Sequence, residues 1–353
     1  MKEYFNLPEK VKDDHYEKVR EEVKKLFSKD KSVLSIYEYG SVSSPGVSDI
    51  DLIFILRDEI LDEGSIDLKD ASDATKRLVA DGTVIKMPKE VMEDIFYIDE
   101  LFPRKLLGED ISFTQPTEEE KRYIKSVALI DWMPERLLKL GKMHNTDQVN
   151  VNHTLCTLHS FCYSLKSLNN ILGETDESTN IIQLTAELRN NWYELDSPEI
   201  QLLRLIEEAL DTGHIRLFDY FQYLKGEDLY FDNQLSLDLE LDLELYPDCF
   251  IRFSDTQSPI GYRDSLKLAK DGKSFIKIPN YFLPHFYCQS IQGGRISNNI
   301  STKFTKEFQI SLDAINHLYR GTIEKKVSIM EQNAQFLIKH NLSSGLIRFG
   351  FHF

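Results

Sequence analysis

Cysteine is scarce in this sequence, four residues in 353, and Cys156, Cys162, Cys249 and Cys288 stand at no metal-ligand spacing. That excludes a disulfide-stapled scaffold and a cysteine-based zinc module, and it fits a chain kept reduced, with the cytoplasm as the expected setting. Long apolar runs are missing too. No stretch approaches the ~20 residues of a membrane-spanning helix, and the opening MKEYFNLPEKVKDDHY lacks the apolar core of a signal peptide. A basic excess is also absent: 42 Lys and Arg against 58 Asp and Glu give a net charge of −16. Tracking a nucleic-acid backbone needs a basic face, because phosphate neutralisation dominates that affinity. Small or cationic partners are therefore expected rather than long polynucleotides, and the same charge keeps the chain soluble. There are no internal repeats and no low-complexity linkers. What remains is 41% apolar and 11% aromatic, a globular composition long enough for two or three domains.

The rest of the chain is organised around Val33 to Leu56, VLSIYEYGSVSSPGVSDIDLIFIL. Val33 to Tyr37 and Ile50 to Leu56 are apolar runs rich in β-branched and aromatic residues, which suit buried strands. A short polar loop joins them, from Gly40-Ser41 through Pro45-Gly46 to Ser48. Asp49 and Asp51 are two apart, so on a strand both carboxylates leave the same face. Two carboxylates among aliphatics repel each other and lose solvation unless a cation lies between them. Mg²⁺ suits such a pair, since it takes oxygen ligands, keeps some waters and shares its other sites with substrate phosphates. Gly40 lets the backbone turn sharply toward a phosphate, and the Ser41 hydroxyl and nearby amides can bind anionic oxygens.

A strand ending in Gly-Ser, a short loop and then Ser-Asp-Ile-Asp-Leu resembles the signature of the DNA-polymerase-β-type nucleotidyltransferase superfamily, over about twenty-five residues. The resemblance implies a catalytic domain in which Asp49 and Asp51 hold Mg²⁺, Gly40 and Ser41 cradle the phosphates of an NTP, and Lys86 adds a charge contact. It implies transfer of a nucleoside monophosphate from the NTP to an acceptor, with release of pyrophosphate. The acidic charge points to a small-molecule acceptor. Two alternatives stand beside this: transfer to a protein or tRNA, as in toxin-like relatives, and an inactive nucleotidyltransferase fold serving as a binding module.

The chain departs from the family pattern at one place. Most active members carry a third carboxylate on the third strand, and Thr83-Val84-Ile85-Lys86-Met87 offers none. Two carboxylates can suffice, as in some relatives. The third can come from Asp94 or Asp99, if Ile95 to Asp99 is the true third strand. Or the fold is kept and the chemistry lost. Phe102 to Ile111 resembles the leucine-glycine-acid segment that often closes such a domain, which favours the Thr83 assignment.

Elsewhere, Pro8 predicts a helix running to about Lys29, with Val11, His15, Val19, Val23 and Leu26 inward. Asp67 to about Ala80 reads as another. From Thr117 the periodicity becomes helical, with Thr117 and Glu120 forming a capping box. One helix is expected to Asp131, the next from Pro134, then His153–Leu172, a segment around Ile181–Leu195, one from Pro198 that ends at Gly213, and a short one to Gly226. His144, His153 and His159 read as helix and loop residues, and Glu187 and Glu194 as solvated charges that could serve as a base. Leu235 to Leu245 alternates leucine with Ser236, Asp238, Glu240, Asp242 and Glu244, the pattern of a strand with one apolar face. Further strands are predicted at Cys249–Phe253 and Ser274–Ile278, an anion-binding loop is possible at Gln292-Gly293-Gly294-Arg295, and one long helix is predicted from Thr302 to His340. The tail 346–352 alternates like a strand and is expected to join the sheet of 235–245. The fold class is thus α+β: a nucleotidyltransferase-type mixed-sheet domain over 1–115, a helical bundle over 116–226, and a smaller α+β region over 227–353 with a long C-terminal helix.

Overall fold

The computed structural model describes residues 2–40, 42–58, 66–79, 84–98, 103–227, 241–246, 249–254, 274–279, 282 and 321–342. The fold is mixed α and β, and the chain divides into two units. One comprises Glu9–Ser126 with Arg320–His352, the other Met1–Pro8 with Val127–Tyr319. In chain order the elements are β1 (Glu3–Phe5), α1 (Asp13–Phe27), β2 (Val33–Tyr39), β3 (Asp51–Leu56), α2 (Asp73–Leu78), β4 (Ile85–Pro88), α3 (Lys89–Glu93), β5 (Arg104–Gly108), α4 (Glu118–Asn145), β6 (Gln148–Asn150), α5 (Val151–Leu172), α6 (Asp176–Asn190), α7 (Pro198–Gly226), β7 (Leu241–Tyr246), β8 (Cys249–Ser254), β9 (Ser274–Pro279) and α8 (Thr322–Lys339). Among the described residues no helix is long and apolar enough to cross a membrane.

The first unit is built on a four-stranded sheet in the order β4-β3-β2-β5, with β2 antiparallel to both β3 and β5 and β4 parallel to β3. The run Leu52–Leu56 is buried on both faces, which explains why it reads as continuous rather than alternating apolar sequence. On one face Ile36, Leu52, Phe54 and Leu56 meet Tyr16, Val19, Val23 and Phe27 of α1. On the other, Tyr37, Ile53, Ile55, Ile85 and Met87 meet Val91, Met92, Ile95 and, from α8, Ile329 and Met330. Pro88 closes the edge strand β4, the position in a sheet where proline is tolerated. At the leucine-glycine-acid segment, Gly108 has φ +87°, and a Cβ there would stand 2.2 Å from the Leu34 carbonyl oxygen. Only glycine lets β5 approach β2 this closely.

Several expected boundaries move for local reasons. α1 starts at Asp13, not Pro8, with the Lys12 N–H donating to His15 Nδ1 at 3.1 Å. Its buried face accordingly runs Tyr16, Val19, Val23, Phe27, and Leu26 is exposed. α2 is shorter than Asp67–Ala80, because the Asp67 carboxylate accepts the Lys69 N–H in a turn and Ser72 caps the helix at Thr75. Glu22 of α1 accepts from the Ser72 N–H, the Ser72 hydroxyl and the Thr75 hydroxyl, joining the two helices. The capping box at Thr117 and Glu120 forms as expected, at 2.7 and 3.2 Å. The segment 322–339, expected in a C-terminal α+β region, packs instead on β4 and α3. This helix begins at Thr322 with Gly321, φ +77°, as its N-cap, and 302–320 of the expected long helix lie outside the described residues.

The second unit is a helical bundle with a small sheet. α4 is one helix through Pro134 rather than two. A proline removes one helical hydrogen bond, but Ile130, Met133 and Leu137, all buried, anchor both sides of it. α7 likewise runs through Gly213, whose missing side chain leaves room for Leu137 and Phe161; a Cβ would lie 2.5 Å from Leu137 Cδ2. β1 pairs parallel with β6. The sheet β7-β8-β9 is antiparallel then parallel, with Phe221 of α7 against Phe282 at 4.4 Å between ring centroids. Of the alternating leucine segment only 241–245 falls within the described residues, and 292–295 and the tail 346–352 lie outside them.

His159 in α5 is held neutral, its pKa pushed down to about 3 by burial and by the neighbouring charges of Arg189 and Lys166. The unfolded chain takes up a proton near the usual histidine value of 6.5, so this residue's contribution to stability is intact above that pH and falls as pH drops toward 3. The expected loss is about 2 kcal/mol between pH 7 and pH 5, at roughly 1.4 kcal/mol per pH unit. Urea unfolding at the two pH values should show it, and His159→Gln should give a shallower pH slope. Equal slopes would show that the imidazole does not titrate this way.

Candidate functional site

The expected site lies where β2 ends and β3 begins. Tyr39, the last residue of β2, is the ladder partner of Asp51, the first of β3. Gly40 then turns the chain with φ +77°, and its α-carbon lies against the Asp51 carboxylate, so that a Cβ there would stand 3.7 Å from Oδ2. Ser41 lies outside the described residues. Beyond it the loop closes into a single turn. The Val47 and Ser48 N–H groups donate to the Ser44 carbonyl at 3.0 and 2.8 Å, and the Ser44 N–H donates to the Ser48 hydroxyl at 3.1 Å.

Asp49 leaves this turn two residues before Asp51, just outside β3 rather than within it as expected. Ile50 and Leu52 belong to the α1-side core, and Asp51 between them takes the opposite sheet face, the face of Ile53 and Ile55, with Asp49 two residues ahead of it in the chain. Both aspartates are half-buried. Hard carboxylate oxygens beside a glycine backbone are the donor set that Mg²⁺ and a phosphate chain require. In that respect Asp49, Asp51 and Gly40 fit the group the resemblance implies.

Lys86 does not join them. It is the ladder partner of Phe54 and follows Val84, both in the α1-side core, so β4 carries it on the sheet face opposite to Asp51. Burial lowers its amine's affinity for a proton, Asp67 opposes that shift and Lys69 adds to it. The expected phosphate contact is corrected by register: a strand reverses its faces at each residue, and parallel pairing with β3 decides which face Lys86 takes.

Ile95–Tyr97 forms a turn of 3₁₀ helix, not a strand, and Asp94 is ion-paired with Lys325 of α8 at 2.6 Å. Asp99 lies outside the described residues. Among the described residues, no three His, Cys, Asp or Glu side chains converge as a metal-holding group. His144 belongs to α4, and His153 and His159 to α5. Glu187 and Glu194 are exposed.

Two features next to the site escaped the sequence reading. Glu38, one residue before Tyr39, is buried and accepts from Arg20 Nε and Nη2 at 2.7 and 2.8 Å and from Arg104 Nη2 at 2.8 Å. Burial pushes its pKa up, but the hydrogen bonds from Arg20 and then Arg104 outweigh burial and hold the carboxyl below its ordinary range. The second feature is Tyr16, whose hydroxyl donates to the Ser48 carbonyl at 2.6 Å and accepts the Gly46 N–H at 2.9 Å. A carboxylate inside an apolar strand and a tyrosine three residues before Val19 were the available signals.

A scan against protein-family models, a search of curated proteins and a search of solved structures return no match.

Replacing Glu38 by Gln removes the buried carboxylate that Arg20 grips with two hydrogen bonds and leaves Arg20 with the exposed Glu17 at 2.6 Å. The expected cost is about 2 kcal/mol in urea unfolding, because charge-assisted bonds to a buried guanidinium are lost. Arg104 is 63% exposed on its side chain, and Arg104→Ala should cost under about 1 kcal/mol. Similar losses for the two variants would refute the distinction. Gly40→Ala should strain the left-handed turn by about 1–2 kcal/mol, read as a lowered melting temperature.

Proposed function

We propose that this protein is a nucleotidyltransferase that moves a nucleoside monophosphate from an NTP to a small-molecule acceptor. The observation that carries the reading is Asp51 at the head of β3, with the Gly40 turn of φ +77° against its carboxylate and Asp49 two residues ahead of it. In the reaction an acceptor hydroxyl or phosphate oxygen forms a bond to the α-phosphorus as the α–β anhydride bond breaks, and pyrophosphate leaves. Asp49 and Asp51 would hold Mg²⁺, which when bound clamps the triphosphate and offsets charge developing at the α-phosphorus. The backbone at Gly40, with Ser41, is the proposed cradle for the terminal phosphates. The net charge of −16 supports a small acceptor over a long polynucleotide. The cytoplasm is the proposed setting, in keeping with the sparse cysteines.

One observation favours a second reading, an inactive fold that binds nucleotide without transferring it: among the described residues no third carboxylate joins Asp49 and Asp51. Calorimetry with each NTP, with and without Mg²⁺, separates the two when paired with release of pyrophosphate. Metal-dependent binding with turnover supports the transferase, and binding without turnover supports the module. Asp51→Asn removes charge without changing shape, so it should abolish turnover and leave the melting temperature within a few degrees of wild type. Full activity in Asp51→Asn would refute the mechanism. Labelled nucleotide appearing in lysate protein or RNA would replace the small acceptor by a macromolecular one.

A further inference from the structure

The loop that delivers Asp49 is held by a side chain from a different element. Tyr16 lies on the inner face of α1 and is only 1% exposed. Its hydroxyl bridges the turn, donating to the Ser48 carbonyl at 2.6 Å and accepting the Gly46 N–H at 2.9 Å. The Ser48 carbonyl and the Asp49 nitrogen belong to one planar peptide unit, so fixing that oxygen fixes the plane entering Asp49. The plane leaving Asp49 is fixed independently, since the Ile50 N–H donates to the Leu78 carbonyl at 2.7 Å. With both flanking planes held, the two backbone dihedrals of Asp49 are set, and so is the direction of its Cβ. Asp51 is set by its ladder pairing with Tyr39. Of these restraints on Asp49, the Ser48 contact is the one made by a side chain from outside the loop.

We propose that Tyr16 is a positioning residue of the Asp49–Asp51 site, its hydroxyl setting the peptide plane ahead of Asp49 and thereby the separation of the two carboxylates. This rests on the nucleotidyltransferase reading above. A burial role alone would be filled equally well by phenylalanine, whose ring occupies the same place in the α1-side core. The hydroxyl is what the loop uses, and it supplies both a donor and an acceptor to backbone groups two residues apart.

The test compares Tyr16→Phe with Val23→Ala, a cavity in the same core that leaves both hydroxyl bonds in place. Binding of Mn²⁺ alone and of ATP with Mg²⁺ is measured calorimetrically, alongside melting temperature and amide exchange at Gly46. Tyr16→Phe should stay folded, lose protection at Gly46 and bind metal about 10–100-fold more weakly, the range seen when a group that orients a metal ligand is removed. Val23→Ala should lose melting temperature and keep its metal affinity. Wild-type affinity in Tyr16→Phe, or an equal loss in Val23→Ala, would overturn the positioning role while leaving the transferase reading standing. Failure of the wild type to bind either metal would overturn both. Should Tyr16→Phe not fold, metal-free wild type still decides: the Gly46 amide must be protected from exchange before any metal is added, and rapid exchange there defeats the proposal.

Discussion

Burial of β3 on both faces is the constraint from which the sheet unit follows. Leu52 to Leu56 are at most 1% exposed, and at about 1.5–3 kcal/mol for each fully buried large apolar side chain, neither face of this strand can stay open to water. One face is therefore covered by α1 and the other by α3, the 3₁₀ turn at Ile95–Tyr97 and α8. Asp51 opens the same strand and inherits its rigidity. A functional carboxylate on the end of a doubly covered strand is better placed than one on a free loop, because the core limits how far it can move.

Polar contacts in and around this core act as pins between elements. Glu38 takes three hydrogen bonds from two arginines, tying α1 and β5 to the end of β2. Glu22 ties α1 to α2 through Ser72 and Thr75, and Tyr16 ties α1 to the turn at 44–48. Asp58, just past β3, accepts from Lys339 and is bonded to His340 at the end of α8. Each contact spans elements distant in sequence, and those of Glu38 and Tyr16 lie at the strand ends that present Gly40, Asp49 and Asp51. Apolar burial brings α1 to the sheet, and these directional bonds then settle its rotation and height.

In the helical unit Arg189 and Arg216 are buried, and the surroundings of Arg189 leave no room for a further positive charge at His159. His159 remains neutral there because burial and two nearby cations disfavour its protonated form. At Gly213 the absence of a side chain, rather than a helix end, is what the packing requires. A glycine inside a helix is locally unfavourable, and here it is tolerated because α4 and α5 bring Leu137 and Phe161 into the space.

Local periodicity was enough to find β2, β3, β8 and β9, the turn at Gly40 and the capping box at Thr117, since strand alternation, glycine turns and capping are decided within a few residues. It also put Asp51 on the sheet face away from α1, because alternation with Leu52 is a local fact, whereas Asp49 falls just outside the strand. The start of α1, the length of α2 and the continuity of α4 and α7 depended on partners that local pattern does not contain. Pro134 and Gly213 would each end a solitary helix, and packing overrides both. The tertiary structure alone decided the face of Lys86, the partners of Glu38 and the bond from Tyr16 to Ser48. Those follow from strand register and from which helix covers which face, and a shift of one residue in either would have reversed them.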